Sequence, residues 1–181
     1  MCLGDEKVLR DFNLLATTSR GNEGDACSEL WFLLKEIGDP SPAVEKTGVT
    51  GLIAARTNRD PVEAIKSLRI ILAERPYEFR YILRAIPIET VVRTDLGEVG
   101  RVAATLGKRI GKNESFRVTV EKRFSSVPSR DLIEAAAANI DRKVDLHRFD
   151  KVLLLEVVGG FTGMSVIGQD DILSVVKEKM L

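Results

Sequence analysis

The order in which hydrophobic patterns alternate along the first 88 residues restricts this chain to few folds. A β-prone run at 12–18 is followed by apolar residues at helical spacing, and two short strand-like runs come next, at 44–47 and 52–56. A second helical pattern begins after Asp60, whose carboxylate and following proline are typical of a helix start. Residues 81–88 return to a strand pattern. The sequence therefore predicts the order strand, helix, strand, strand, helix, strand.

Elements in this order are typical of the ferredoxin-like fold, a two-layer arrangement with helices on one face of a sheet. The second half predicts a new series of elements: a helix at 96–110, a strand at 116–121, a helix capped by Ser129, and strands at 152–158 and 164–167. A short helix is predicted after Asp170 or Asp171. We therefore expect an α+β (two-layer α/β) fold with two domains, at residues 1–88 and 89–181.

Composition limits the class of protein. The chain has 181 residues, of which 44% are hydrophobic, so it has enough apolar residues to fold. Its longest apolar runs, such as 152–155, are far shorter than the ~20 residues that cross a bilayer, and residues 1–10 have no apolar signal segment. Two cysteines, Cys2 and Cys27, are too few for a disulfide framework or a zinc site. The sequence therefore predicts a cytoplasmic protein without a membrane partner.

The sequence contains no recognisable pattern of catalytic or cofactor-binding residues. His147 is the only histidine and lies in a polar stretch, so a solvated loop position is favoured over a general base. Cys27 lies on an apolar helical pattern, which favours a buried structural thiol over a nucleophile. Gly159–Gly163 follows a strand as a phosphate-binding loop does, but a strand pattern comes next instead of a helix, which favours a hairpin turn. We therefore expect neither a catalytic residue nor a bound cofactor or metal.

The distribution of charge is uneven although the total is zero, with 27 basic and 27 acidic residues. A globally basic nucleic-acid binder is therefore excluded, but residues 108–130 hold seven basic residues against two acidic ones. In a strand, Arg117 and Arg123 point to one face and Lys122 reaches the end, while Arg130 opens the following helix. Cations and a helix N-terminus near one edge can hold phosphates. An ordinary solvated charged face explains the same pattern, and charge alone does not decide between the two.

Several segments of the second half together resemble the THUMP domain. These are 116–123, 129–133, 144–146 ahead of the strand at 152–158, and 163–166. Upstream, residues 12–23 resemble the ferredoxin-like segment that precedes THUMP in the same superfamily. Each segment is short, but their order and spacing extend the resemblance over about residues 12–168.

The resemblance implies a tRNA-binding role. THUMP domains occur in tRNA-modifying enzymes, where they bind tRNA while a fused catalytic domain carries out the chemistry. This chain stops soon after the THUMP-like segment, so it resembles the stand-alone group that includes the tRNA cytidine-acetylation adaptor. We therefore expect a non-catalytic adaptor that presents tRNA to a separate acetyltransferase for N4-acetylcytidine formation. The alternative is an RNA-binding subunit of another tRNA-modifying enzyme, one for thiolation or methylation.

The resemblance also indicates where RNA is expected to bind. It assigns RNA contact to Arg117, Lys122, Arg123, Ser129 and Arg130, and charge alone adds Lys108, Arg109 and Lys143. Phe149 stands where many relatives have proline before the acidic residue, a departure that affects a turn and not the cations. We expect these basic side chains to gather on a single surface that contacts the sugar-phosphate chain of tRNA.

Overall fold

The computed structural model describes residues 10–181 as two compact units. Unit 1 contains the described residues up to Ile88 together with Asp170–Leu181, and unit 2 contains Glu89–Gln169. The expectations for Cys2 and for the lack of a signal segment concern residues 1–9, which lie outside the described residues. No helix within residues 10–181 is both long and apolar enough to cross a membrane.

Unit 1 is built on an antiparallel sheet. Its elements up to Ile88 are β1 (Leu14–Thr17), α1 (Glu23–Glu36), β2 (Ala43–Lys46), β3 (Leu52–Arg56), α2 (Pro61–Glu74) and β4 (Arg84–Pro87). The structure therefore confirms the predicted order of strands and helices. β1 lies between β3 and β4 and is antiparallel to both, and β2 pairs with β3 at the edge.

Helices α1 and α2 each bury an apolar stripe against one face of this sheet. Alternate residues of the strands, such as Leu14 and Ala16 in β1, share a core with Leu30 of α1 and Leu68 of α2. Successive side chains of a strand point to opposite faces, so this spacing places one half of each strand under the helices.

Local signals set the start of α2. Asp60 Oδ1 accepts a hydrogen bond from the backbone N–H of Glu63 at 3.0 Å, and Pro61 occupies the first helical position. The carboxylate satisfies one of the N–H groups that a helix start leaves unpaired, and proline has no N–H there to lose. The helix start predicted from these residues is confirmed.

Unit 2 is built on a mixed sheet. Its elements are β5 (Thr90–Arg93), α3 (Leu96–Leu106), β6 (Ser115–Arg123), α4 (Ser129–Ala137), β7 (Lys143–Val144), β8 (Lys151–Val158) and β9 (Phe161–Ile167). The strands lie in the order β5-β9-β8-β6-β7. β9 is antiparallel to β5 and β8, whereas β6 is parallel to both β8 and β7. With two sheets and helices between their strands, the predicted α+β fold class is confirmed.

Helices α3 and α4 cover one face of this sheet. Phe116 and Val118 of β6 share a core with Val99 of α3 and Leu132 of α4. The alternation of a strand then places on the opposite face Arg117, Thr119, Glu121 and Arg123. The alternation thus determines which cations of β6 share a face.

Unit 2 differs from the sequence prediction in three local respects. α3 ends at Leu106, and a 3₁₀ turn follows at Gly107–Arg109 where the pattern predicts continuing helix. β5 and β7 are not predicted by the sequence pattern, because with four and two residues they are too short to show a recognisable alternation. Ser129 is the first residue of α4, and Pro128 occupies the capping position predicted for it.

The hairpin predicted at the glycine cluster is confirmed. Gly159 and Gly160 form a two-residue turn between β8 and β9, with Val158 paired to Phe161. Gly159 has a φ of +58°, which the first central position of a type II′ turn requires and which glycine adopts without steric penalty. A strand follows these glycines, so they do not open a helix as a dinucleotide-binding loop does.

The segment 170–181 belongs to unit 1. β10 (Leu173–Ser174) adds to the edge of the unit 1 sheet, antiparallel to β4, and α5 (Val175–Lys179) follows it. Arg69 of α2 holds this segment, since its Nε lies 3.0 Å from Glu178 Oε1 and its Nη2 donates to the Asp170 carbonyl at 2.7 Å. The predicted second domain at 89–181 is therefore corrected to 89–169, because the last residues complete the sheet of unit 1.

A buried carboxylate joins the chain after α1 to the end of β3. Asp39 is 1% exposed, and its oxygens accept hydrogen bonds from Thr57 Oγ1 at 2.6 Å and from the N–H groups of Ser41 at 2.9 Å and Asn58 at 3.0 Å. Burial raises the pKa of Asp39, but the hydrogen bonds outweigh it and hold the pKa below its ordinary value. The ionised form therefore stabilises the fold above the unfolded-state pKa, and this contribution is lost as the pH falls through the folded-state pKa.

We predict that Asp39→Asn lowers the free energy of unfolding at neutral pH by about 1–3 kcal/mol, because an amide nitrogen cannot accept the hydrogen bonds that a carboxylate oxygen accepts. The variant should also lose less stability than the wild type on acidification, since it has no charge to titrate at this position. Urea unfolding at a series of pH values measures both effects. Asp141→Asn, at an exposed position, is the control. Equal acid sensitivity of the Asp39 variant and the wild type would contradict the prediction.

Candidate nucleic-acid interface

The residues predicted to bind RNA all lie in unit 2 but divide between the two ends of β6. Because a strand rises about 3.3 Å per residue, Arg117 and Arg123 lie about 20 Å apart. The group near the start of β6 comprises Lys108, Arg109, Arg117 and Lys143, and the group near its end comprises Lys122, Arg123, Ser129 and Arg130. The predicted residues therefore form two groups that differ in charge and environment. The expectation that a single RNA-binding surface includes both groups stays a prediction.

We call the region around the start of β6 the basic end. β7 brings Lys143 beside Ser115, β8 begins here with Lys151, and Arg109 donates to the carbonyl of Val166 at 3.0 Å, near the end of β9. Eight cations lie in this region, Lys108, Arg109, Lys112, Arg117, Arg142, Lys143, Arg148 and Lys151, against five carboxylates, Glu89, Glu114, Asp141, Asp145 and Asp150. The basic end is therefore locally positive although the whole chain is neutral.

A carboxylate orders the loop between β7 and β8. Asp145 Oδ1 accepts hydrogen bonds from the backbone N–H groups of Arg148 at 2.9 Å and His147 at 3.0 Å. These bonds hold the pKa of Asp145 below its ordinary value, so the ionised form that accepts them is favoured. His147 is exposed in this loop, which confirms the prediction of a solvated histidine.

Arg117 is held at the basic end by neutral groups. Its Nη1 donates to the Leu146 carbonyl at 3.3 Å, and its guanidinium carbon lies 5.9 Å from the centroid of the Phe149 ring. A carbonyl and an aromatic face attract a cation without cancelling its charge. Phe149, the residue that departs from the usual proline, thus supports a side chain predicted to contact RNA.

The cations of the basic end differ in how far they are neutralised. Arg109 pairs with Glu89, and two longer pairs join Lys151 to Glu114 at 3.6 Å and Lys143 to Asp145 at 4.0 Å. Among the described residues, no carboxylate forms an ion pair with Lys108, Lys112, Arg117, Arg142 or Arg148. Asp141 and Asp150 also form no ion pair among the described residues, so the five unpaired cations leave the basic end with a net excess of three positive charges.

Half of the cations at the basic end were not among the predicted site residues: Lys112, Arg142, Arg148 and Lys151. Carboxylates lie next to some of them in sequence, as Asp141 does to Arg142 and Asp150 to Lys151, so a count of charges along the sequence shows no excess of cations there. Arg142 donates from Nε to the Ile110 carbonyl at 2.9 Å, a contact across 32 positions. The parallel pairing of β6 with β7 and β8 brings these segments together. Because β7 has only two residues, its sequence pattern does not predict a strand, and this pairing could not be foreseen.

We call the other group the helix-start end, because β5 and β6 end there and α3 and α4 begin there. The β8–β9 hairpin lies beside it: Gly159 N–H donates to the Arg123 carbonyl at 2.8 Å, and Thr94 N–H donates to the Gly160 carbonyl at 2.9 Å. Its cations are Arg93, Arg101, Lys122, Arg123 and Arg130, and its carboxylates are Asp95, Glu98, Glu121, Asp131, Glu134 and Glu156. Carboxylates outnumber cations, so the helix-start end is not a basic surface.

Arg123 is bound to a buried carboxylate. Its Nη1 lies 2.6 Å from Oε2 of Glu156, whose side chain is 1% exposed. Burying a carboxylate costs free energy unless the carboxylate is paired, so Arg123 stabilises the fold by pairing with Glu156. Its charge is already compensated within the protein, which the sequence pattern did not indicate.

The other predicted residues at the helix-start end are more accessible. Arg130 pairs with Glu134 one turn later at 2.9 Å, but its side chain is 87% exposed. Lys122 is exposed and donates from Nζ to the Val127 carbonyl at 2.8 Å. Ser129 is half-buried at the start of α4. Exposed ion pairs contribute little, so Arg130 and Lys122 can exchange their present partners for a phosphate.

Other residues singled out by the sequence do not add a second site. Cys27 is half-buried and packs against the core of unit 1, in keeping with a structural thiol. Across residues 10–181, no three His, Cys, Asp or Glu side chains lie together as a metal site. The basic end is therefore the strongest candidate site in the described part of the chain.

A THUMP domain-containing protein is similar in sequence to part of this chain. No protein-family model matches the chain. A THUMP domain-containing protein 1 homolog from Drosophila melanogaster is 28% identical over an alignment of 131 residues, and the match covers 67% of this chain and 40% of that protein. This similarity supports a THUMP-type protein.

Solved structures share the fold. PH1313 from Pyrococcus horikoshii superposes with a TM-score of 0.67 at 18% identity, covering 86% of this chain and 54% of that one. A 4-thiouridine synthetase, solved as a complex with RNA and ATP, gives a TM-score of 0.55 at 14% identity, covering 91% of this chain and 42% of that one. The chain thus spans about half the length, or less, of the proteins it matches.

The Arg123–Glu156 pair generates a prediction about stability. Arg123→Ala should lower the free energy of unfolding by about 3 kcal/mol, because it removes the cation bound to a buried carboxylate. Lys122→Ala, the adjacent exposed residue, should change it by less than about 1 kcal/mol. Urea unfolding of both variants measures the difference. Adding Glu156→Gln to the Arg123 variant should restore part of the loss, and equal stability of the two single variants would show that the pair has no structural task.

Proposed function

We propose that this protein binds tRNA through the basic end of unit 2 and acts in tRNA modification. The observation that carries the proposal is the local excess of cations at the basic end, five of which have no carboxylate partner among the described residues. The similarity to a THUMP domain-containing protein 1 homolog and to a 4-thiouridine synthetase solved with RNA supports it.

The composition of the basic end suits contact with the RNA backbone. Arginine and lysine side chains bind phosphates and sugars and carry little sequence information by themselves. Arg117 contributes a guanidinium held in place before RNA arrives, so less conformational entropy is lost on binding. Because the chain is neutral overall, long-range attraction to RNA comes from this local excess of cations and not from the net charge of the molecule.

Within this function, we propose a non-catalytic adaptor that presents tRNA to a separate acetyltransferase for N4-acetylcytidine formation. The mechanism is positional: an adaptor that holds both tRNA and enzyme raises the effective concentration of the target cytidine without making or breaking a bond itself. The second candidate is an RNA-binding subunit of another tRNA-modifying enzyme, for thiolation or methylation. The observation that supports this second candidate is the fold that the chain shares with a 4-thiouridine synthetase.

Charge reversal tests RNA binding at the basic end. The triple variant Lys108→Glu, Lys112→Glu and Arg148→Glu changes exposed cations without ion-pair partners among the described residues. We predict at least about tenfold weaker binding of bulk tRNA and a shallower dependence of affinity on salt, since fewer counterions are released. Fluorescence anisotropy over a range of salt concentrations measures both quantities.

A matched control distinguishes the loss of a local binding site from the effect of a more negative net charge. Arg20→Glu, Lys46→Glu and Lys177→Glu make the same change of charge on exposed residues of unit 1. This control should bind tRNA within about twofold of the wild type if contact is local. Equal loss in both triple variants would contradict a local site, and wild-type protein that fails to bind tRNA at low salt would contradict the function itself.

The adaptor role has its own test. We predict that tagged protein purified from its native cells brings down an acetyltransferase, and that acetylation of tRNA by that enzyme requires this chain. The basic-end triple variant should abolish this stimulation while the unit 1 control retains it. Co-purification with a thiolation or methylation enzyme would favour the second candidate. Modification of tRNA by the chain alone, with acetyl-CoA, S-adenosylmethionine or ATP, would overturn the non-catalytic role.

A further inference from the structure

An exposed aromatic side chain occupies the turn between β6 and α4. Phe124 is 79% exposed and has a φ of +55°, and it is the only non-glycine residue with positive φ within residues 10–181. Bulky side chains rarely adopt this left-handed conformation. Neither folding stability nor solubility therefore explains a phenylalanine at this position, which a glycine or asparagine would suit better.

Polar and charged side chains flank the turn that carries Phe124, and they include the exposed carboxylate of Glu121 as well as two cations. Lys122 Nζ donates to the Val127 carbonyl at 2.8 Å, which closes the turn and leaves Phe124 near its tip. Ser126 is exposed in the same turn, and Arg130 is 87% exposed at the start of α4. Between residues 121 and 132, Phe124 is the only exposed large hydrophobic residue, so the turn lacks the cluster of exposed apolar side chains that forms the core of a protein–protein interface.

Donors for an anion lie close to the ring in sequence. α4 begins without a side-chain cap, and the N–H groups of Asp131 and Leu132 both bond to the Pro128 carbonyl. Among the described residues, the N–H groups of Ser129 and Arg130 have no acceptor, as is usual for the first turn of a helix. The turn thus combines a flat aromatic face with two cationic side chains and two backbone donors.

We propose that the Phe124 turn binds an unpaired nucleotide of the RNA, with the base stacked on the Phe124 ring and its phosphate held by Lys122 and Arg130. Stacking on an aromatic ring requires a base that is free of its helical neighbours, so the ligand is single-stranded RNA and not a paired stem. This inference rests on the proposed tRNA-binding function and adds a contact about 20 Å from the basic end along β6.

Substitutions at residue 124 separate the ring from the backbone. Phe124→Asn removes the ring but suits the left-handed conformation, and Phe124→Leu keeps an apolar side chain without an aromatic face. Phe124→Tyr keeps the ring. Tyr77→Ala, which removes an aromatic side chain that is 64% exposed in unit 1, is the matched control.

Three RNA probes identify the kind of contact: a short single-stranded oligonucleotide, the same oligonucleotide with abasic nucleotides, and a blunt hairpin with a minimal loop. We expect Phe124→Asn and Phe124→Leu to weaken binding of the single strand about tenfold, while Phe124→Tyr and Tyr77→Ala stay within about twofold of the wild type. The hairpin and the abasic strand should bind equally to the wild type and all four variants, since neither offers a base to stack.

The outcomes distinguish this inference from the proposed function. If the wild type binds the single strand and Phe124→Asn binds it equally well, the stacking role is wrong while tRNA binding stands. Preference of the wild type for the hairpin alone would also overturn the stacking role. A wild type that binds none of the probes and no tRNA overturns the proposed function and this inference together.

Discussion

The parallel pairing of β6 with β8 is the interaction on which unit 2 depends. Its register runs from Phe116 beside Lys151 to Arg123 beside Val158, and it determines which side chains of β6 meet the helices. A slip by one residue would turn the apolar half of the strand away from the core. The same register puts Arg123 on the face of Glu156, so the core and the buried ion pair are set by one alignment.

Electrostatics in this protein are local. The chain has equal numbers of basic and acidic residues, yet its folded form separates them within unit 2. Cations gather where β6, β7 and β8 begin, whereas carboxylates outnumber them where α3 and α4 begin. Fields from exposed charges fall off over about 8–10 Å at physiological salt, so an RNA at either end responds to that end and not to the neutral whole.

Interactions between residues that are close in sequence predict much of the fold but little of the candidate site. Asp60 starts a helix and Gly159 turns a hairpin through interactions with their immediate neighbours, so the sequence pattern was a reliable guide to both. Glu156 looks like one charge in an apolar strand, and only the strand register reveals its contact with Arg123. Arg148 likewise joins the basic end through pairing between segments that are distant in sequence.

Unit 1 is discontinuous along the chain, since unit 2 lies between β4 and β10. During synthesis the ribosome must therefore complete the whole of unit 2 before the edge strand of unit 1 emerges. Until then β4 has no neighbour on its outer side, and an unpaired strand edge is a site for wrong pairing between nascent chains. Arg69 binds the segment 170–181 when it arrives, and so helps to hold β10 against the exposed edge of β4.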